Sequence, residues 1–506
     1  PLQTFEIISL ARQGFLLDPS SDAGTECLIL TVDVLREANR PEQALRSIRQ
    51  GRRRARTEVF DARFAWRSAV LEYETTVREG VSTAERQSAR EECFEGLEEV
   101  HGDDSLPADV RAEALLQEAR LVEKSGEIAR EVVEKLRRAE QRNNLPGNMT
   151  ARLQLERARL MNTLGLPEAT PLLLSILEKD DVDIEIREDA ATRYAEFVRS
   201  RADSFDQAIL ELRQTSSEYD ERGALVAAVR FEEGRLFERR GEYAQAKEAF
   251  GLASEFDAAA PRIAARAAFG LASIQTNEGA FAEAIATYDS VAEEVRDKLF
   301  VGAPDFYLRA REGYIREFLA KGNNEIRIGD PHLAASTFRE LIEFDANLVE
   351  AWRGLLDAQS RTGFLDRGVI ADYGKEARAN PSDALAQYKY GLALTYHPAF
   401  VDSGEGKNPV GRILLGKDLS FKAIDLFERA IALDSSVPYY HQTLGFVYEH
   451  LGRVRDRRTD AARALEAYER ALSLLDAGNR PQDFARLLLN TGNAAYSIDN
   501  YARAVD

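Results

Sequence analysis

Cysteine is nearly absent: Cys27 and Cys93 are the two in 506 residues. Two thiols cannot make a disulfide framework, and a chain of this length has enough apolar surface to fold without one. Histidine is scarce too. His101, His332, His397, His441 and His450 are all there are, and none stands at metal-ligand spacing from another histidine or a cysteine. No metal site and no cofactor are therefore expected, and the cysteines read as small buried thiols rather than nucleophiles. No apolar run approaches the ~18 residues that span a membrane. Cationic excess is also missing, since 67 Lys and Arg face 86 Asp and Glu for a net charge of -19. That balance argues against a uniformly basic surface for nucleic acid or anionic lipid, and no nucleic-acid partner is expected.

Two local basic clusters remain, Arg52, Arg53, Arg54 and Arg56, then Arg453, Arg455, Arg457 and Arg458. Both read as solvated helix ends or loops. The sequon at Asn148 carries no weight alone. The chain opens on Pro1 with charge from Glu6 onward, so no signal peptide is read, and a mature or excised product is expected. Cytoplasm and periplasm both stay open, as does the oligomeric state.

What is abundant is Ala, Leu, Glu and Arg at helical spacing, with no convincing strand alternation, so the chain is expected to be all-α. The segment "GRLFERRGEYAQAKEAFGLASEFD", residues 234 to 257, gives the clearest unit. One helix ends near Gly241, a tight turn follows, and a second helix carries Ala246, Phe250 and Ala253. The pairing of a small residue with an aromatic four positions on recurs as Ala284 and Tyr288, Ala334 and Phe338, Ala423 and Phe427, and Ala464 and Tyr468. Residues four apart share a helical face, where alanine admits a close neighbour and the ring fills the gap beside it. A hairpin of this kind cannot bury both faces alone, so neighbours must stack.

In these residues the chain resembles the tetratricopeptide-repeat family. Gly234, Gly391, Gly445 and Gly492 match the family's first-helix glycine, Trp352 its early aromatic, and Pro381 and Pro438 its closing proline. The resemblance implies a right-handed superhelical solenoid of helical hairpins. The match is clearest over 224–506, degenerate over 107–223, and carried by hairpin rhythm alone over 1–106. The second-helix alanines are spaced roughly 38 to 41 residues apart, wider than the family's usual 34. The last repeat reads as truncated at Asp506, and a longer natural protein is expected.

Roughly twenty extra residues separate Gly391 from Ala423, an insertion placed near 398–418. It contains Gly411, Gly416 and Lys417 in the frame of a phosphate-binding loop. The match fails chemically. Asp418 stands where a magnesium-ligating Ser or Thr is needed, and no strand precedes it. Leu414 and Leu415, beside Ile413, are apolar enough to need burial, either back on the solenoid or, the reading preferred here, against a partner.

Family members use their first helices to line a concave groove for an extended peptide or a partner helix. Counted from the glycines, the groove residues implied here are Tyr388, Leu392, Gln442, Phe446, His450, Leu489, Asn493 and Tyr496. Asn493 is the one match to the family's carboxylate clamp, so a chaperone-type clamp is not expected. The function implied is a non-enzymatic scaffold for protein–protein interaction within a larger assembly, bacterial by its Arg, Ala and Glu usage. The sequence leaves open a second reading, the docking or sensor region of an enzyme, a protease or kinase, whose catalytic domain follows residue 506.

Overall fold

The computed structural model describes residues 10–11, 21–53, 57–78, 81–122, 127–141, 145–300, 302–363, 365–397, 409–452, 457–475 and 481–498. Among them lie 24 helices and no strand. The chain forms two compact units, residues 1–310 and 311–506.

In unit 1 the helices pair as first and second members of successive hairpins. These are α1 (Asp22–Glu37) with α2 (Pro41–Arg52), α3 (Glu58–Arg78) with α4 (Thr83–Gly102), and α5 (Ala108–Leu121) with α6 (Glu127–Glu140). Next come α7 (Gly147–Thr163) with α8 (Ala169–Leu177), and α9 (Ile184–Arg201) with α10 (Phe205–Glu218). Then follow α11 (Gly223–Arg240) with α12 (Tyr243–Ser254), α13 (Pro261–Glu278) with α14 (Phe281–Asp289), and a short additional helix, α15 (Glu293–Leu299). The helix α16 (Asp305–Ile328) contains the dividing point. Unit 2 pairs α16 with α17 (Pro331–Phe344), α18 (Val349–Thr362) with α19 (Arg367–Ala379), and α20 (Ala384–Thr395) with α21 (Pro409–Leu433). It continues with α22 (Pro438–Gly452), α23 (Arg457–Leu474) and α24 (Pro481–Ser497).

Backbone chemistry sets the turns. Gly241, Gly279 and Gly363 end α11, α13 and α18 with φ of 77°, 83° and 76°, left-handed values at which any Cβ would be strained. Pro261 and Pro331 open α13 and α17, where a missing N–H costs nothing. Asp383 starts α20 by accepting from the amides of Leu385 and Ala386.

Packing follows from small residues facing rings. Phe250 of α12 lies in a notch between its own first helix and the next. A Cβ on Gly234 would stand 2.6 Å from its ring, and one on Gly270 of α13 would stand 2.9 Å from it. Phe338 of α17 has the same neighbours, Gly322 on α16 and Gly354 on α18. Phe427 abuts Gly391 at 2.8 Å and Tyr468 abuts Gly445 at 2.6 Å by the same measure. The alanines one turn earlier, Ala246, Ala334, Ala423 and Ala464, are buried beside these rings. Phe250 and Phe338 thus each lock two hairpins through sites that admit only hydrogen.

Carboxylates add ties the sequence does not advertise. Glu188 of α9, 1% exposed, accepts from the backbone N–H groups of Arg262 and Ile263 at 2.7 and 3.2 Å and from Arg262 Nε at 2.8 Å. It therefore caps the start of α13 from a different hairpin. Glu140 ends α6 with 8% of its side chain exposed and lies 3.1 Å from Arg157 of α7, without alignment for a hydrogen bond.

Burial pushes the Glu140 carboxyl up to about 7, against the pull of Arg157, a Gln154 hydrogen bond and Lys179. Between 4.5 and about 7 the folded chain holds a proton that the unfolded chain has released, so stability falls as pH rises through that window. Glu140→Gln is expected to flatten that slope and stabilise the protein at pH 8 by on the order of 2 kcal/mol. Urea melts of both proteins at several pH values check it. Parallel pH curves for the two would refute the assignment.

Of the insertion expected near 398–418, residues 398–408 lie outside the described residues, and the remainder is helical, because α21 begins at Pro409. Gly411, Gly416 and Lys417 lie within this helix, not in a loop after a strand. The side chains of Leu414 and Leu415 lie outside the described residues.

Candidate functional site

The first helices of unit 2 converge on one cavity of about 650 Å³. Five of them contribute: α16, α18, α20, α22 and α24. Among the described residues no second helix takes part. Leu319, Gly354, Leu392 and Phe446 supply its apolar wall, and Phe446 stays 50% exposed.

Its polar side is organised by Arg353 of α18. The guanidinium donates from Nη1 to Gln442 Oε1 of α22 at 2.7 Å and from Nη2 to Asp483 Oδ1 of α24 at 3.3 Å. It also lies 4.7 Å from the centre of the Tyr439 ring. Asp483 accepts further bonds from the Tyr439 hydroxyl at 3.0 Å and from Arg486 Nη2 at 3.1 Å. Tyr396 also lines the cavity, and burial pushes its hydroxyl well above the usual phenol range.

The groove residues implied by sequence divide into three groups. Leu392, Gln442 and Phe446 line the cavity. Leu489, Asn493 and Tyr496 are positioned along α24, outside the cavity lining, with Leu489 and Tyr496 exposed, and His450 is half-buried in the last turn of α22. Tyr388 is fully buried in the unit 2 core, its hydroxyl 3.1 Å from Thr443 Oγ1, so it supports a lining residue from behind. Sequence reasoning missed Arg353, Asp483, Arg486 and the whole of α16. Gly322 and Gly354 were the available signal, because counting from them would have placed α16 and α18 beside the groove.

Unit 1 has its own cavity, about 620 Å³, lined by residues of α1, α3, α5 and α7. Here the wall is ionic. Arg67 makes a two-pronged contact with Asp33 at 2.7 and 2.8 Å, and Arg36 meets Glu74 at 2.6 Å. Glu113 stands 3.9 and 4.0 Å from Arg67 and Arg63, and burial raises its pKa. These charges are largely spent on one another.

Glycines on first helices, aromatics on second helices seated against them, and a groove lined by first helices alone together decide the repeat type. The hairpins are tetratricopeptide-like. No family model matches the chain, and no curated protein does. Among solved structures, the chain is similar to the crystal structure of MamA at 23% identity over 38% of this chain and 86% of that one, with a TM-score of 0.21. It is similar to TTC0263, a thermophilic TPR protein in Thermus thermophilus, at 16% identity, 38% and 86% coverage and a TM-score of 0.27. The Cut9–Hcn1 hetero-tetramer of APC/C aligns with 98% of this chain and 87% of that one at 14% identity and a TM-score of 0.22. At those values the repeat assignment rests on the glycine notches themselves. Among the described residues no helix is long and apolar enough to cross a membrane, and no group of His, Cys, Asp and Glu is placed to hold a metal ion.

Proposed function

We propose that the protein is a non-enzymatic scaffold whose unit 2 holds a peptide segment of a partner protein in the first-helix groove. One observation carries the reading: a cavity of about 650 Å³ with an apolar wall, built by the five first helices α16, α18, α20, α22 and α24, keeps the large ring of Phe446 half in water. The ring is not an isolated exposed residue, because it shares a concavity with Leu319 and Leu392, and contiguous apolar surface of that kind marks interaction sites. The concavity and the few convergent polar groups suit a ligand of peptide size.

A photoreactive residue replacing Phe446 is expected to trap a partner protein in cells. The same residue replacing Leu210, exposed on a second helix of unit 1, is expected to trap far less. Equal trapping from the two positions would remove the groove from the proposal. Phe446→Asp should weaken association with the trapped partner by about tenfold or more while leaving the melting temperature nearly unchanged, because a half-exposed ring contributes more to an interface than to the fold.

A further inference from the structure

The polar wall of the unit 2 groove carries three arginines, Arg316, Arg353 and Arg486, and three acids, Glu350, Asp357 and Asp483. Arg353 and Arg486 both rely on Oδ1 of Asp483, and Tyr439 occupies Oδ2. Asp357, another acid of the lining, is engaged by Arg361 at 3.2 Å. A guanidinium carries five N–H donors, and the bonds to Gln442 and Asp483 leave several on each arginine for a further acceptor. A third cation, Arg316, is exposed on α16 and also lines the cavity. The three acids are therefore engaged, Asp483 and Asp357 by arginines and the half-buried Glu350 of α18 in an interaction of its own, while the guanidinium groups keep N–H donors beyond the bonds described.

We propose, resting on the groove reading above, that the occupant is an extended segment with an acidic side chain next to an aromatic or branched aliphatic one. The carboxylate enters between Arg353 and Arg486 and takes their spare donors, bidentate geometry being what a guanidinium offers a carboxylate. The apolar side chain lies against Leu392 and Phe446. A purely apolar segment would cover Arg353 and leave its donors without acceptors, which is costly. A basic segment would set its own cation beside two guanidinium groups and find Asp483 already taken.

The test selects displayed random peptides on the intact protein, then measures the recovered consensus peptide by fluorescence anisotropy. Peptides lost on Phe446→Asp are taken as groove binders. The expected consensus has Asp or Glu beside an aromatic or aliphatic residue. Replacing that acid by its amide should cost about tenfold in affinity for the wild-type protein, and much less for Arg486→Gln and Arg353→Gln. Arg486 is exposed and paired within its own helix, so its variant should fold normally, and this keeps the test valid if Arg353→Gln does not. Groove binders whose consensus lacks an acid, or whose acid contributes equally in all variants, would overturn the acidic assignment and leave the groove reading standing. Failure to recover any peptide lost on Phe446→Asp would overturn both.

Discussion

Phe338→Ala is expected to destabilise unit 2 by about 3–5 kcal/mol, the range for truncating a fully buried phenylalanine. The ring is 1% exposed and fills the notch between Gly322 and Gly354. Its removal leaves a cavity that rigid helices on both sides cannot close. The complementary change overfills the same notch: Gly354→Ala puts a methyl where the ring already sits and should cost about 1–3 kcal/mol. Leu333→Ala, on the same helix but exposed, provides the scale and should cost well under about 1 kcal/mol. Urea unfolding followed by circular dichroism measures all three. If Phe338→Ala costs no more than Leu333→Ala, the ring-in-notch account of hairpin stacking is wrong.

Glu188→Ala is expected to cost about 3 kcal/mol, from a different cause: the loss of acceptors inside a buried site. Its carboxylate takes three donors, two of them backbone amides at the start of α13, whose N-terminus has no side-chain cap of its own. Alanine leaves those amides and one side of Arg262 unsatisfied in a site that water barely reaches. Asp189 binds the same guanidinium at 2.7 Å but is half exposed, so Asp189→Ala should change stability by less than about 1 kcal/mol. Hydrogen exchange separates local from global loss. Faster exchange confined to the amides of Arg262 and Ile263 is the expected signature in Glu188→Ala, and unchanged protection there would show that the cap is not what stabilises α13.

Local features were legible in the sequence and distant ones were not. The spacing of Ala246 and Phe250 announces a helical face, and Gly241 announces where the preceding helix stops, because both signals act within one or two turns. Leu392, Gln442 and Phe446 followed by counting from glycines on the same helix. The bonds from Arg353 to Gln442 and Asp483 join residues 89 and 130 positions apart, and no periodicity encodes them. The same holds for Glu188 and Arg262, 74 apart. The start of α21 was hidden for another reason. Gly411 and Gly416 lower intrinsic helix propensity and "GKNP" looks like a turn, yet the helix extends through both glycines. Tyr388 misled because on a first helix a small rotation about the axis separates the groove from the core.

Arg353 also bears on how the array comes apart. In an ideal linear stack each hairpin feels its immediate neighbours, so melting can start at an end and run inward one repeat at a time. A side chain on α18 that bonds to α22 and α24 breaks that rule. It acts as a chord across the coil. The hairpins between its anchor points cannot fray singly without breaking it, so the stretch from α18 to α24 should unfold as one cooperative block with a correspondingly steep denaturant transition.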